Sequence, residues 1–260
     1  MSIWNSFNNG PNKAFNGIRN VFLSGPGNLS LGSIQIGTYV QAGITGSLIP
    51  PMPSDVKQGD LLIFRSSNAG TDAATQNAGW SRISAVDASC HISWIIVGAN
   101  LPAAYQTTSG TRVAANITRY RLPKTPTLIG STNNSNTAAS STASASGISI
   151  TGNPKRVLIV AAANISTNDT TASNSFNASN ITAASPKGVF ATTDTNLKLQ
   201  SKEWIAEGSI FAVRLGSGRS LHGFSWAGLG KRIQNSDTGT LSTNFLTSGA
   251  TGMVALAFAY

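Results

Sequence analysis

This chain has little of what enzymes and charged interaction domains are built from. Of its 260 residues only 10 % are Asp, Glu, Lys or Arg, where ordinary domains carry about 25 %. Acids are scarcer than bases, nine against eighteen, and there are two histidines and one cysteine. A single cysteine excludes an intrachain disulfide. Cys90 beside His91 makes no catalytic dyad, because neighbours on a strand point to opposite faces. The expected role of Cys90 is a buried small hydrophobe. His91 and His222 stand apart, at no HxH or HxxxH spacing, and zinc would want cysteine or carboxylate help. Asn168-Asp169-Thr170 offers one acid where a calcium loop clusters several. No metal or other cofactor is therefore expected. No apolar run approaches the roughly 18 residues of a membrane span. Met1-Ser2-Ile3-Trp4-Asn5 has none of the regions of a secretory signal.

Catalytic patterns are equally thin. Glu203 and Glu207 are the only glutamates and flank Trp204. A glycosidase needs two carboxylates about a sugar bond, but a core tryptophan between two solvated acids explains the spacing. Neither a Gly-x-Ser-x-Gly elbow nor a P-loop occurs. Gly216-Ser217-Gly218 lacks the third glycine of a dinucleotide site and reads as a hairpin turn. No catalytic residue is assigned, and an enzyme is not expected.

What the chain does have is Ser, Thr, Asn, Gln and Gly to make a neutral polar surface, with a net charge of +9. Its bases are spread out. The closest groupings are Arg119-Tyr120-Arg121 with Lys124, Lys155-Arg156 and Lys231-Arg232. None is a nucleic-acid tail, and no RNP-like or helix-turn-helix pattern goes with them, so nucleic acid is not an expected partner. Diffuse positive charge favours encounters with anionic neighbours, including host surface polysaccharide.

The strand signals come in two sets. Ser33 to Val40 alternates, and Leu61-Leu62-Ile63-Phe64 is the all-apolar run of a strand buried on both faces. Ile92 to Val97 and Arg112 to Tyr120 complete a first unit. A second opens at Val157-Leu158-Ile159-Val160, continues through Glu203 to Ala206, Ser209 to Val213 and His222 to Trp226, and closes on Met253 to Tyr260. Between them, residues 123–153 read as a connection containing a polar edge strand, ending in Gly147-Ile148-Ser149-Ile150. Asn164 to Ser185 reads as an exposed loop. The expected fold is all-β: an antiparallel sandwich, jelly-roll-like, built from two related halves at 34–122 and 154–260. Residues 1–33 form a short arm, with an amphipathic helix over Lys13 to Phe22 and a Ser24-Gly25-Pro26-Gly27-Asn28 hinge. Trp4, Phe7, Phe15, Ile18 and Phe22 need cover, from the chain's own domain or from a partner.

Gly59-Asp60-Leu61-Leu62, then Ala78-Gly79-Trp80-Ser81, an aromatic strand at Ser93-Trp94-Ile95-Ile96-Val97, and Ala115-Asn116-Ile117-Thr118-Arg119-Tyr120-Arg121 occur in that order. The series resembles the β-sandwich modules of tailed-bacteriophage virion proteins, over about residues 55–260. The second half has Ser173-Asn174-Ser175-Phe176 where that pattern puts a Gly-Trp turn. The resemblance implies a non-enzymatic virion protein, made in the host cytoplasm and assembled as a homo-oligomer with other virion proteins. A tail-fibre or tail-associated subunit held by its N-terminal arm is the leading form, with a capsid decoration protein as the alternative. A carbohydrate-binding host-recognition module is the third possibility, for which Trp204 and Trp226 are the candidate ligand-contacting aromatics.

Overall fold

The structure is a computed structural model. It describes residues 35–42, 49, 52–53, 55–68, 77–84, 90–105, 112–167, 171–181, 187–191, 200–201, 209–215, 219–230 and 233–260. The described residues are all-β, with a short 3₁₀ turn at Gln234–Ser236. The first sheet holds β1 (Gln35–Ala42), β2 (Leu61–Asn68), β3 (Ser81–Ser84), β4 (Cys90–Ile96) and β5 (Arg112–Tyr120), in the order β1-β5-β2-β4-β3. The second is eight-stranded: β6 (Thr127–Ala145), β7 (Arg156–Ile165), β8 (Thr171–Ala178), β9 (Lys187–Ala191), β10 (Gln200–Ser201), β11 (Ser209–Leu215), β12 (Arg219–Leu229) and β13 (Leu241–Ala259). Every paired strand is antiparallel to its neighbour.

The two sheets share a plan. In each, the opening strand lies between the closing strand and the one before it: β2 between β5 and β4, β7 between β13 and β12. The strand preceding the opening one pairs with the closing one, β1 with β5 and β6 with β13. The remaining strand pairs with the penultimate one, β3 with β4 and β11 with β12. So β1-β5-β2-β4-β3 is matched by β6-β13-β7-β12-β11, with β8, β9 and β10 inserted between β7 and β11. The chain passes from one sheet to the other at residues 121–126, and each sheet is a continuous stretch of sequence. The jelly-roll likeness thus extends to the two-sheet sandwich and not to strands alternating between sheets.

The central strands of both sheets are buried on both faces, which is why they read as unbroken apolar runs. Leu61, Ile63, Cys90, Ile92 and Tyr120 meet Leu158, Val160, Ala162, Leu221, Leu256 and Phe258 in the core between the sheets. Each such Leu, Ile or Phe contributes about 1.5–3 kcal/mol by leaving water. On the outer face of the first sheet, Leu62, Phe64, Ala115 and Ile117 pack with Trp80 and Tyr105. On the outer face of the second, Ile159, Ala161, Phe224, Met253 and Ala255 lie under Ala143, Ala145, Ile148, Ile181, Ile233 and Phe245.

That last cover exists because β6 and β13 bend. Asn134 Nδ2 donates to the Ser144 carbonyl at 3.0 Å, whereas ten residues of straight strand would separate them by about 33 Å. The β13–β6 register shifts between Asn244 and Thr251, as strands do where they turn a corner from one layer to the next. Their second arms, with Ala178 and Ile181, lie over the second sheet. This differs from the sequence reading in two places. The strand in 123–153 is Thr127–Ala145, while Ile148 and Ile150 are buried beside it. The segment expected as an exposed loop, Asn164 to Ser185, contains β8 and the buried Ile165, Ala178 and Ile181.

Candidate functional site

The Gly-Asp-Leu-Leu segment and the Tyr-Arg segment meet at one end of the first sheet. Gly59, at φ +87°, supplies a left-handed turn into β2. Arg121, just past β5, donates from Nε to Asp60 Oδ1 and from Nη2 to Oδ2, both at 2.8 Å. The Lys57 amide donates to Asp60 Oδ2 at 2.9 Å. Burial pushes the Asp60 carboxyl up, but Arg121 and the Lys57 amide outweigh it and hold the group below its ordinary value. Asp55 accepts from Arg121 and lies 3.3 Å from the Lys57 ammonium. Residues 61 apart are thereby clasped, and the carboxylate is committed to structure.

A second polar centre lies between the sheets. Arg65 follows Leu61 and Ile63 on the inward face of β2 and is fully buried. Its Nε donates to the Ala161 carbonyl at 3.1 Å, Nη1 to Thr118 Oγ1 at 3.0 Å, and Nη2 to Tyr120 Oη at 2.8 Å. Nη2 also reaches the Phe224 carbonyl and Ser225 Oγ, each at 3.2 Å. Tyr120 Oη is in turn hydrogen-bonded to Ser225 Oγ. One guanidinium thus ties β2 and β5 of the first sheet to β7 and β12 of the second.

The histidines and cysteine lie in the core. Cys90 faces the other sheet, and His91 turns the opposite way to lie against Phe64 at 5.4 Å. His222 lies 4.3 Å from Phe245. Burial, with Arg82 adding to it, holds His91 well below its ordinary value, and burial alone takes His222 down to about 3. Both rings are neutral at physiological pH. Among the described residues, no His, Cys, Asp and Glu side chains gather as a metal site would require, and no helix is long and apolar enough to cross a membrane.

Of the aromatics, Trp80 is 1 % exposed, turned in by Gly79 (φ +81°), with Nε1 donating to the Ala103 carbonyl at 3.4 Å. Trp226 is also 1 % exposed, within the core on the outer face of the second sheet. Its ring packs over Gly228, where a Cβ would come within 2.5 Å. Trp226 is therefore a packing residue, with no open face for a ligand. Trp204, Glu203 and Glu207 lie outside the described residues, as do Trp4, Phe7, Phe15, Ile18 and Phe22.

An open concavity lies at one end of the second sheet. A cleft of 600 Å³ is walled by Ile150, Leu229 and Ile233 on its apolar side and by Asn153 and Ser236 on its polar side. An adjoining cleft of 510 Å³ is lined by Lys124, Thr125, Thr127 and Tyr260. Pro154, Lys155 and Arg156 border both and form the ridge between them. The Tyr260 amide donates to the Arg156 carbonyl at 3.2 Å, fixing the ridge to the end of β13. Burial raises the Tyr260 phenol to about 12, with Arg156 opposing, so it stays protonated and able to donate. No Asp or Glu side chain is among the described residues lining either cleft.

No family model matches this chain, and no curated protein or solved structure matches it.

Proposed function

We propose that this protein is a non-enzymatic structural component of a phage virion, most simply a tail-fibre or tail-associated subunit joined to the particle through residues 1–33. The observation that carries this reading is the repeated five-strand plan, β1-β5-β2-β4-β3 and β6-β13-β7-β12-β11, in one sandwich. Such a body is a rigid spacer, and its most reactive side chains are spent on packing. The resemblance of Gly59-Asp60-Leu61-Leu62 and Ala78-Gly79-Trp80 to virion modules adds to it, as analogy. Deleting residues 1–33 should leave a folded sandwich that no longer joins particles. Normal incorporation of the truncated chain refutes attachment through the arm, and absence of the full chain from purified particles refutes the virion reading.

Capsid decoration is the second reading, favoured by the surplus of nine positive charges, which suits an acidic lattice. Copy number separates the two: lattice coverage needs hundreds of copies, on the order of the capsid's own subunits, and a tail position needs few.

A further inference from the structure

Lys155 and Arg156 stand on a ridge between two clefts, Lys124 faces the second cleft, and among the described residues no carboxylate pairs with any of the three. The described acids are engaged elsewhere. Asp55 and Asp60 are bound to Arg121, and Asp237 Oδ1 accepts from the Gly239 amide at 2.7 Å. Among the described residues, the cations at this end are therefore left without an anionic partner.

We propose that the paired clefts bind an oligosaccharide whose sugars carry carboxylate or phosphate groups, one sugar unit in each cleft and an anionic group on the Lys155–Arg156 ridge. Volumes of 600 and 510 Å³ fall within the roughly 300–1,000 Å³ of small-ligand sites. The walls suit sugars: hydroxyls and an amide (Thr125, Thr127, Asn153, Ser236) for ring hydroxyls, and Ile150 and Leu229 for the C–H face. Arg156 presents a planar fork that matches carboxylate or phosphate.

Two other occupants fit less well. Single-stranded nucleic acid is held by successive bases stacking on aromatic platforms, and Tyr260, the only aromatic among the described lining residues, packs partly against the core between the sheets. A second copy of this chain would have to bring carboxylates, and the whole sequence has nine.

The inference does not require residence in a virion. Particle composition tests that reading, and binding by the isolated chain tests this one. Calorimetric titration of the full chain with oligogalacturonate, a phosphorylated oligosaccharide and a neutral glucan of equal length should show one acidic ligand bound at least tenfold more tightly than the neutral one. Which acidic ligand wins identifies the anion. The double variant Lys155→Gln/Arg156→Gln, with its far-ultraviolet circular dichroism unchanged, should lose at least tenfold of that affinity. Arg82→Gln, which removes a charge outside the clefts, should change it less than twofold. The proposal is overturned if neither acidic ligand outbinds the glucan, if the double variant binds as well as the parent, or if a single-stranded oligonucleotide of equal charge binds as tightly.

Discussion

In the first sheet the opening strand begins at a carboxylate and the closing strand ends at a guanidinium. In the second, the corresponding places hold Lys155-Arg156 and Tyr260. The first pair closes on itself through two charge-assisted hydrogen bonds. The second is joined at its last step by one backbone bond, Tyr260 to Arg156, and its side chains are left facing clefts. A shared framework thus has one sealed end committed to structure and one open end, where the binding proposed above would sit. The strands are alike because packing constrains them, and the ends differ because nothing in the packing requires them to match.

Each half carries a buried histidine on its penultimate strand, and acid is the way to compare them. His91 on β4 and His222 on β12 each turn away from the core between the sheets and are buried. Both have folded pKa values depressed by burial below the ordinary 6.5. The unfolded chain therefore binds protons that the folded one refuses. Stability is full above about pH 6.5 and falls as pH drops, down to about 3 for His222. Each ring contributes a slope of up to about 1.4 kcal/mol per pH unit. Unfolding free energies from denaturant titrations between pH 7 and pH 4 should fall by several kcal/mol, about two such slopes over that range, and His91→Phe and His222→Phe should each remove about half the slope. If one substitution leaves the slope intact, the two sheets do not share this property.

Arg65 offers a test of whether the sheets unfold as two bodies or one. Its hydrogen bonds run to the Ala161 and Phe224 carbonyls and Ser225 in the second sheet and to Thr118 and Tyr120 in its own. Arg65→Ala leaves a cavity and orphaned buried acceptors, a loss of about 3–5 kcal/mol. Urea unfolding should remain a single transition with a lower midpoint. Two separated transitions would mean that the sheets fold independently and that the guanidinium is their main bond.

The sequence shows this unevenly. Leu61 to Phe64 and Val157 to Val160 are legible because strands buried on two faces must be apolar throughout. β6 and β8 are not. Thr127–Ala145 is a strand of Ser, Thr, Asn and Ala, specified by the length of β13 beside it and not by a pattern of its own. Arg65 is legible only by counting: on a strand it shares a face with Leu61 and Ile63, which sets a guanidinium in the core. Lys124 and Lys155-Arg156 are visible as separate basic groups. Their meeting across two clefts depends on the bent β6 that returns residues 154–156 to the end of β13.

The clasp itself offers the finest test of the contrast between the ends. Asp60→Asn keeps the shape of the side chain and one acceptor but removes the charge that Arg121 grips. Asp60 is 2 % exposed, but the Arg121 side chain is 30 % exposed, so water recovers part of the loss. The expected destabilisation is about 2 kcal/mol, below the cost of breaking a fully buried pair. The folded carboxyl is held below 3.8. Its contribution is thus present above the unfolded pKa near 3.8 and fades as pH falls below that value. Parent and Asp60→Asn should accordingly differ in unfolding midpoint at pH 6 and converge toward pH 2. The variant should leave binding at the Lys155–Arg156 ridge unchanged. If Asp60→Asn weakened that binding, the two ends would be coupled through residues 121–126, and the division between a sealed and an open end would fail.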